Sequence, residues 1–168
     1  MDIVESLFKN KLERILILNG HGGNIGILKN VLQKLKYDKN IYIATASYWD
    51  FAMKEIDNWR ESNLGGINHA CEMETSLMLH MQEDIVNKEN IIDNPLTRSA
   101  YTGVDLLAGG TVGVSASFKE LSDHGVIGSP SLATKEKGTD LFEIITNKIC
   151  DFIEDFSKWK KPLNGKNE

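Results

Sequence analysis

One histidine lies in a loop made of glycine and asparagine. The run Asn19-Gly-His-Gly-Gly-Asn24 places the imidazole of His21 among three glycines. Glycine lets the backbone come close to a ligand and take positive φ, so this loop suits a metal ion or an anion. A turn with an exposed, idle histidine is the alternative. The glycines do not complete a G-x-G-x-x-G fingerprint and no Gly-Lys-Ser/Thr follows, which argues against the two common nucleotide motifs.

A second cluster puts one imidazole and two carboxylates within six residues. In the run His69-Ala-Cys-Glu-Met-Glu-Thr-Ser76, His69 and Glu72 are expected to share one face of a helix, whereas Glu74 points elsewhere. Imidazole and carboxylate groups bind Zn, Mn and Fe, and the same groups transfer protons. The spacing leaves an alternative open, which is an acidic first turn that only stabilises the helix dipole.

The elements around the glycine loop form a predicted βαβ unit. An amphipathic helix over 3–12 precedes a predicted strand over 14–18, in which 15–18 are continuously apolar, as in strands buried on both faces of a parallel sheet. Helical periodicity follows over 25–35, and 41–46 has the composition of a second strand. The loop therefore falls at the carboxyl end of the first strand, where open parallel sheets bind ligands.

The rest of the chain predicts a less regular arrangement. Residues 49–59 have a helical pattern, and the flexible loop 63–68 leads into a helix over 69–81. Glycine and proline break 93–137 into turns and short strands, and a long amphipathic helix over 141–156 is expected to pack on the sheet. Together these elements predict an α/β protein with a mainly parallel β-sheet flanked by helices.

The composition of the chain argues against some classes of binding partner and predicts a cellular location. The 168 residues carry 19 basic and 24 acidic side chains, a net charge of -5, which argues against nucleic acid and anionic membranes as partners. The longest aliphatic run, residues 15–18, is far shorter than the roughly 20 residues that cross a bilayer. Because there is no signal-peptide pattern and the two cysteines are far apart, we expect a cytoplasmic protein.

The two clusters, in this order and about fifty residues apart, resemble the paired motifs of the creatininase (creatinine amidohydrolase) family. A third segment agrees. The run Gly125-Val-Ile-Gly-Ser-Pro-Ser-Leu-Ala-Thr-Lys-Glu-Lys-Gly138 is similar to a late glycine-proline segment of that family, with Ser129 where the family usually has aspartate. The resemblance implies one creatininase-like domain over 1–160, a three-layer α/β sandwich, followed by a polar tail at 161–168.

The resemblance also implies an activity and a set of site residues. Members of the family hydrolyse C–N bonds of cyclic amides, formamides or peptides with a metal-activated water, at a site that holds two Zn, Mn or Fe ions. By position, His21 is expected to bind the metal, and Glu74 is expected to bind it or to support a residue that does. His69 and Glu72 are expected to be catalytic, with His69 contacting the substrate or moving a proton at the leaving nitrogen. The loop residues expected to bind substrate are Gly22, Gly23 and Asn24.

The implied partners are a small-molecule or peptide amide substrate and further copies of the chain, since the family often forms hexamers. Creatinine itself is disfavoured as the substrate. Creatinine-hydrolysing members carry an aromatic residue and a glutamate where this loop has Gly22 and Gly23.

One difference from the family pattern leaves alternative functions open. The N-terminal portion of the family supplies a Glu-x-His pair and an aspartate that bridges the metals, and this sequence has no Glu-x-His. We therefore expect an N-terminally incomplete domain that lacks about a third of the family's length. The alternatives are a catalytically incomplete fragment or a non-catalytic subunit that needs a separate N-terminal half. A phosphate- or nucleotide-binding α/β module, with the glycine loop at a helix N-terminus, is a further alternative.

Overall fold

The computed structural model of the chain describes residues 1–97 and 101–160, and these form two units. The predicted polar tail, 161–168, lies outside the described residues, and the expected single domain over 1–160 stays a prediction. None of the helices in the described part of the chain is long and apolar enough to span a bilayer.

The first unit, which contains 1–52 and the chain from 145 onward, is built on the predicted βαβ arrangement. Its two strands pair in parallel, with Leu16 opposite Ala44 and Asn19 opposite Ser47. The predicted order of helix, strand, helix and strand is confirmed. These elements are α1 (Asp2–Lys9), β1 (Leu16–Asn19), α2 (Ile25–Lys39) and β2 (Ala44–Ser47).

Apolar side chains at helical spacing join α1 and α2 to the sheet. Val4, Leu35 and Ile41 are buried together in one cluster. The prediction that the first strand is buried on both faces is wrong, because Leu18 of β1 is 46% exposed. Within the described residues the sheet has only β1 and β2, so each of them is an edge strand with a single neighbour.

The second unit, 53–144, contains an antiparallel strand pair and three helices, and a fourth helix begins in it. Ile67 pairs with Gly128 and His69 pairs with Ile127, with a bulge between them. The predicted turns and short strands before the last helix, and the long last helix itself, are confirmed. The elements are α3 (Met53–Trp59), β3 (Ile67–His69), α4 (Glu72–Gln82), α5 (Phe118–Leu121), β4 (Ile127–Gly128) and α6 (Lys135–Lys158). Short 3-10 turns lie at Gly22–Asn24, Tyr48–Ala52, Glu83–Ile85, Lys88–Asn90 and Pro130–Leu132.

The start of α6 lies directly against α4 because Gly138 has no side chain. A Cβ built at this position would be 1.9 Å from the carbonyl oxygen of Ser76 and 2.9 Å from Cβ of His80. Both distances are shorter than real Cβ contacts, so any larger residue would push the two helices apart. Gly138, the last residue of the third motif, therefore sets the spacing of α4 and α6.

We predict that Gly138→Ala lowers the free energy of unfolding by about 2 kcal/mol, since the added methyl overpacks this contact. Gly26→Ala is the matched control, because Gly26 also lies in a helix and a Cβ there would meet no atom within 4 Å. That substitution should raise the free energy of unfolding by about 0.5–1 kcal/mol. Urea unfolding of both variants measures the difference, and equal effects would contradict the close α4–α6 contact.

Candidate active site

The buried side chain of Asn19 folds the glycine loop. Its Nδ2 donates to the carbonyl oxygen of His21 at 2.8 Å and to Oγ of Ser47 at 3.0 Å. Its Oδ1 accepts from the backbone N–H of His21 and from Nδ2 of Asn24, both at 3.2 Å. Asn19 thus connects the end of β1 to the end of β2 and fixes the loop that carries His21. Asn19 had no predicted role, although a polar residue at the end of an apolar strand is a usable signal in the sequence.

Two glycines of the loop lack the positive φ that the sequence predicts. Gly20 and Gly23 do not take positive φ, so that expectation is wrong for both of them. Gly22, Gly23 and Asn24 instead form a 3-10 turn that runs into α2. A Cβ on Gly23 would lie 2.9 Å from Nε2 of His21. The missing side chain at Gly23 therefore makes room for the imidazole, which folds back over the turn.

His69 is presented by a sharp turn between β3 and α4. The expected helix face shared by His69 and Glu72 is wrong, because His69 ends β3 and the helix begins only at Glu72. Between them Ala70 has a φ of 47°, a left-handed conformation that is rare without glycine. The backbone N–H of Ala70 donates to Oε2 of Glu74 at 2.5 Å, which holds this strained turn.

The ring of His69 packs against an aromatic side chain. The edge-to-face contact with Phe118 has ring centroids 4.7 Å apart. Such a contact restricts rotation of the imidazole about its side-chain bonds. The strand end and the left-handed turn therefore determine where His69 lies, and Phe118 packs against its ring.

Glu72 lies entirely inside the second unit. Its side chain has 0% exposure, and its carboxylate accepts from the backbone N–H of Glu61 at 2.9 Å and of Ser62 at 3.0 Å. Nζ of Lys137 contacts the same carboxylate. This geometry disfavours the predicted catalytic role of Glu72, because a carboxylate without exposed surface offers no oxygen to a substrate.

The protonation of Glu72 follows from these contacts. Burial raises the pKa of its carboxyl, but the Lys137 ammonium, the Ser62 hydroxyl and the N–H groups of Glu61 and Ser62 outweigh burial. The net pKa of Glu72 lies below its ordinary value of 4.5. Glu72 is therefore a buried anion near neutral pH, stabilised by a cation and by oriented backbone donors.

Lys137 belongs to the third motif and had no predicted role. Its Nζ lies 3.0 Å from Oε1 of Glu61 and 4.7 Å from the centroid of the Trp59 ring. The indole N–H of Trp59 donates to the carbonyl oxygen of Lys137 at 3.1 Å. The first turn of α6 is thereby joined to α3 and to the start of α4.

A second buried carboxylate, that of Asp105, holds the loop before β3 in place through hydrogen bonds. Its Oδ2 accepts from the backbone N–H of Gly65 at 2.9 Å and of Ile67 at 3.2 Å, and from Nη2 of Arg60 at 2.7 Å. The same Arg60 side chain donates to the carbonyl oxygen of Ser62 at 2.8 Å. Asp105 and Arg60 therefore fix the chain that leads to His69. No local sequence pattern joins these two residues, which are 45 positions apart.

The described residues do not assemble the predicted metal site. Within 1–97 and 101–160, no three His, Cys, Asp or Glu side chains come together in a way that could hold a metal ion. His21 belongs to the first unit and Glu74 to the second, and each stays a predicted ligand. Cys71 is buried, and burial raises the pKa of its thiol to about 11, so it is an unreactive core residue near neutral pH.

Comparison with known proteins decides the family. The family model described as Creatininase, creatinine amidohydrolase, matches residues 1–153. This chain belongs to the creatininase family. The resemblance drawn from the three motifs is thereby confirmed.

Curated relatives of the chain act on different amides, as their names state. The creatinine amidohydrolase of Pseudomonas putida is 27% identical over 164 residues, which cover 92% of this chain and 60% of that enzyme. The mycofactocin precursor peptide peptidase of Mycolicibacterium smegmatis is 26% identical, over 90% of this chain and 52% of that enzyme. The chain thus spans between half and two thirds of the length of these creatininase relatives.

Solved structures confirm the fold class. A protein from Bacteroides fragilis, described as a candidate creatinine amidohydrolase, superposes with a TM-score of 0.78 at 26% identity, over 95% of this chain and 60% of that one. A mutant creatininase described as Zn-Zn type gives a TM-score of 0.68 at 27% identity, over 92% of this chain and 61% of that one. The α/β class, with a parallel sheet flanked by helices, is that of the creatininase fold.

We predict that Gly23→Ala displaces the imidazole of His21 with little effect on stability, because only the end of a flexible side chain has to move. The ring resonances of His21 in an NMR spectrum should shift, and the thermal midpoint should stay within a few degrees. Gly20→Ala is the control, since a Cβ there would meet nothing within 4 Å. An unchanged His21 resonance in Gly23→Ala would contradict the packing of the ring over the turn.

The lowered pKa of Glu72 predicts a pH dependence of stability. A carboxyl with a folded-state pKa below 4.5 stabilises the fold fully above that pH, and this contribution is lost as the pH falls through the folded-state pKa. Glu72→Gln should therefore lower the free energy of unfolding by about 2 kcal/mol at pH 7, and the gap should narrow towards pH 3.

Urea unfolding of both proteins between pH 3 and pH 7 measures this gap. Glu61→Gln is the control, because the Glu61 side chain is 64% exposed and its pair with Lys137 should contribute less than about 1 kcal/mol. A gap for Glu72→Gln that does not change with pH would be the contrary result.

Proposed function

We propose that this chain belongs to an amidohydrolase that cleaves a C–N amide bond, with His69 moving a proton at the leaving nitrogen. The observation that carries the proposal is the strained turn at Ala70, held by Glu74, which presents His69 at the end of β3. Strained backbone of this kind clusters at functional sites and persists only where surrounding contacts fix it. The names of the curated relatives, a creatinine amidohydrolase and a peptide peptidase, support an amide substrate.

The proposed chemistry places one requirement on His69. When water adds to the amide carbonyl carbon and the C–N bond breaks, the nitrogen leaves as an amine only if it receives a proton. A neutral imidazole that accepts the water proton and then donates it to nitrogen completes the reaction with all atoms balanced. The packing of the His69 ring against Phe118 supports this role, because orientation is a large part of proton-transfer efficiency.

The remaining residues position this group. Glu74 supports the turn at Ala70 through the hydrogen bond to its backbone N–H. We assign Glu72 a positioning role in place of the predicted catalytic one, since it fixes the start of α4 from inside the unit. Gly22, Gly23 and Asn24 stay predicted substrate contacts on the loop that carries His21.

The proposed amidohydrolase uses a divalent metal, and the support for this metal comes from the creatininase family. The Zn-Zn type of a solved creatininase supports such an ion, and Zn, Mn or Fe bound as a pair by His21, Glu74 and further ligands is the predicted form. The described residues hold no set of three ligands, so they do not fit a complete metal site. A homo-oligomer and a cytoplasmic location likewise stay predictions.

We predict that His69→Asn lowers kcat/KM for amide hydrolysis at least 100-fold, because general acid-base groups contribute roughly 10²–10⁴. The assay measures amine release from creatinine, a formamide and short peptides by the 168-residue chain, with Zn, Mn or Fe added. His124→Asn is the matched control, since His124 is an exposed turn residue, and it should keep the wild-type rate.

Equal rates for His69→Asn and the wild-type chain would contradict the role of His69. A chain that is silent with every metal and substrate would contradict catalysis by this polypeptide alone, and would favour the alternative of a catalytically incomplete polypeptide.

A further inference from the structure

A crevice of roughly 290 Å³, part of it open to solvent, lies in the first unit between α2 and β2. Asn19 and Ser47, the last residues of β1 and β2, both line it. It therefore opens at the carboxyl ends of two parallel strands, where open α/β sheets bind ligands. Every residue that lines it belongs to 1–52, so the crevice is formed within one unit.

The crevice has an apolar wall. Ile25 and Leu28 contribute to this wall from the start of α2, and Ala46 contributes from β2. Most of the surface that the crevice exposes is apolar. Because ligand pockets begin at roughly 300 Å³, this crevice suits a small apolar group of a few carbon atoms, which leaves water when it is buried here.

A buried hydroxyl group in the crevice has an unused hydrogen-bond donor. Ser47 is 3% exposed, and its Oγ accepts from Nδ2 of Asn19 at 3.0 Å. The hydroxyl proton of Ser47 has no acceptor among the residues that the structure describes. The hydroxyl of Thr45, by contrast, donates to the carbonyl oxygen of Ile17 at 3.1 Å. Since a buried donor without an acceptor is costly, a ligand oxygen at Ser47 would be stabilising.

Two exposed side chains of opposite charge, Lys29 and Asp50, also line the crevice. Oδ2 of Asp50 accepts from the backbone N–H of Ser47 at 2.8 Å, and Oδ1 has no partner within 1–97 and 101–160. The ammonium group of Lys29 forms neither an ion pair nor a hydrogen bond in the described part of the chain. Asp50 would repel a simple anion and Lys29 would repel a simple amine, so the pair favours a ligand that carries both charges.

We propose that this crevice binds a free α-amino acid with a small apolar side chain. The carboxylate of the amino acid accepts from the Lys29 ammonium and the Ser47 hydroxyl, and its ammonium group donates to Asp50. Its side chain packs against Ile25 and Leu28. This binding goes beyond the proposed amide hydrolysis and does not depend on it, because His69 belongs to the other unit.

The test compares L-valine with three probes that each lack one of its groups. Glycine lacks the apolar side chain, L-valinamide lacks the carboxylate and isovalerate lacks the ammonium group. Each probe is titrated into the ¹⁵N-labelled 168-residue chain at pH 7, and backbone amide chemical shifts are followed by NMR. L-Valine should bind about fivefold more tightly than each of the others, with the largest shifts at Lys29, Ala46 and Ser47.

Three results of this titration would overturn the site. The first is the absence of a saturable shift at millimolar concentrations of L-valine. The second is an equal affinity for all four probes. The third is tighter binding of inorganic phosphate than of L-valine, which would indicate a simple anion site.

Two variants that each remove a charge locate the ligand groups. Lys29→Met should weaken the binding of L-valine about fivefold and leave the affinity for L-valinamide unchanged, since that probe has no carboxylate. Asp50→Asn should weaken the binding of L-valine about fivefold and leave the affinity for isovalerate unchanged, since that probe has no ammonium group. The asparagine keeps an oxygen that can accept from the backbone N–H of Ser47.

Lys34→Met and Asp38→Asn are the matched controls, because both residues are exposed on α2 and neither lines the crevice. Both controls should keep the wild-type affinity for L-valine. Thermal unfolding checks that all four variants fold. An equal loss of binding in a lining variant and in its control would overturn the proposal.

Discussion

The packing of the second unit depends on the contacts that neutralise one buried carboxylate, that of Glu72. Glu72 has no exposed surface, and moving an unpaired carboxylate to such a place costs several kcal/mol. The ammonium of Lys137 and two backbone N–H groups offset that cost. Because Lys137 lies in the first turn of α6 and Glu72 opens α4, the pair determines where these two helices meet. The absence of a side chain at Gly138, the next residue after Lys137, allows them to meet that closely.

The contacts of Glu72 also position the candidate active site, because a short stretch of backbone connects Glu72 to His69. Glu72 follows Ala70 by two residues, so fixing Glu72 fixes one end of the left-handed turn that presents His69. Asp105 fixes the other side by binding the N–H groups of Gly65 and Ile67 at the entry to β3. Two buried carboxylates thus hold the backbone on either side of His69 through hydrogen bonds. Networks of satisfied polar groups in a low-dielectric interior hold one geometry well, because every alternative leaves a group unpaired.

The sequence predicted those parts of the fold that have a local pattern. The apolar run before the glycine loop and the helical spacing after it identified β1 and α2, and the long apolar stripe identified α6. The boundary between β3 and α4 was missed, because helical spacing continues across Cys71 and no residue type marks Ala70 as left-handed. Lys137, Arg60 and Asp105 were missed because pairs between distant charged residues leave no local pattern. The positive φ predicted for the loop glycines is wrong at Gly23, which instead provides space for the imidazole of His21.

We expect Glu72 and Lys137 to stabilise the second unit as a pair, and a double-mutant cycle measures this coupling. The free energies of unfolding of the wild-type chain, Glu72→Gln, Lys137→Met and the double variant are measured in urea at pH 7. The coupling free energy should be about 2 kcal/mol, with the double variant more stable than the sum of the single losses implies. A coupling below about 0.5 kcal/mol, meaning additive effects, would show that the two side chains do not act as a pair.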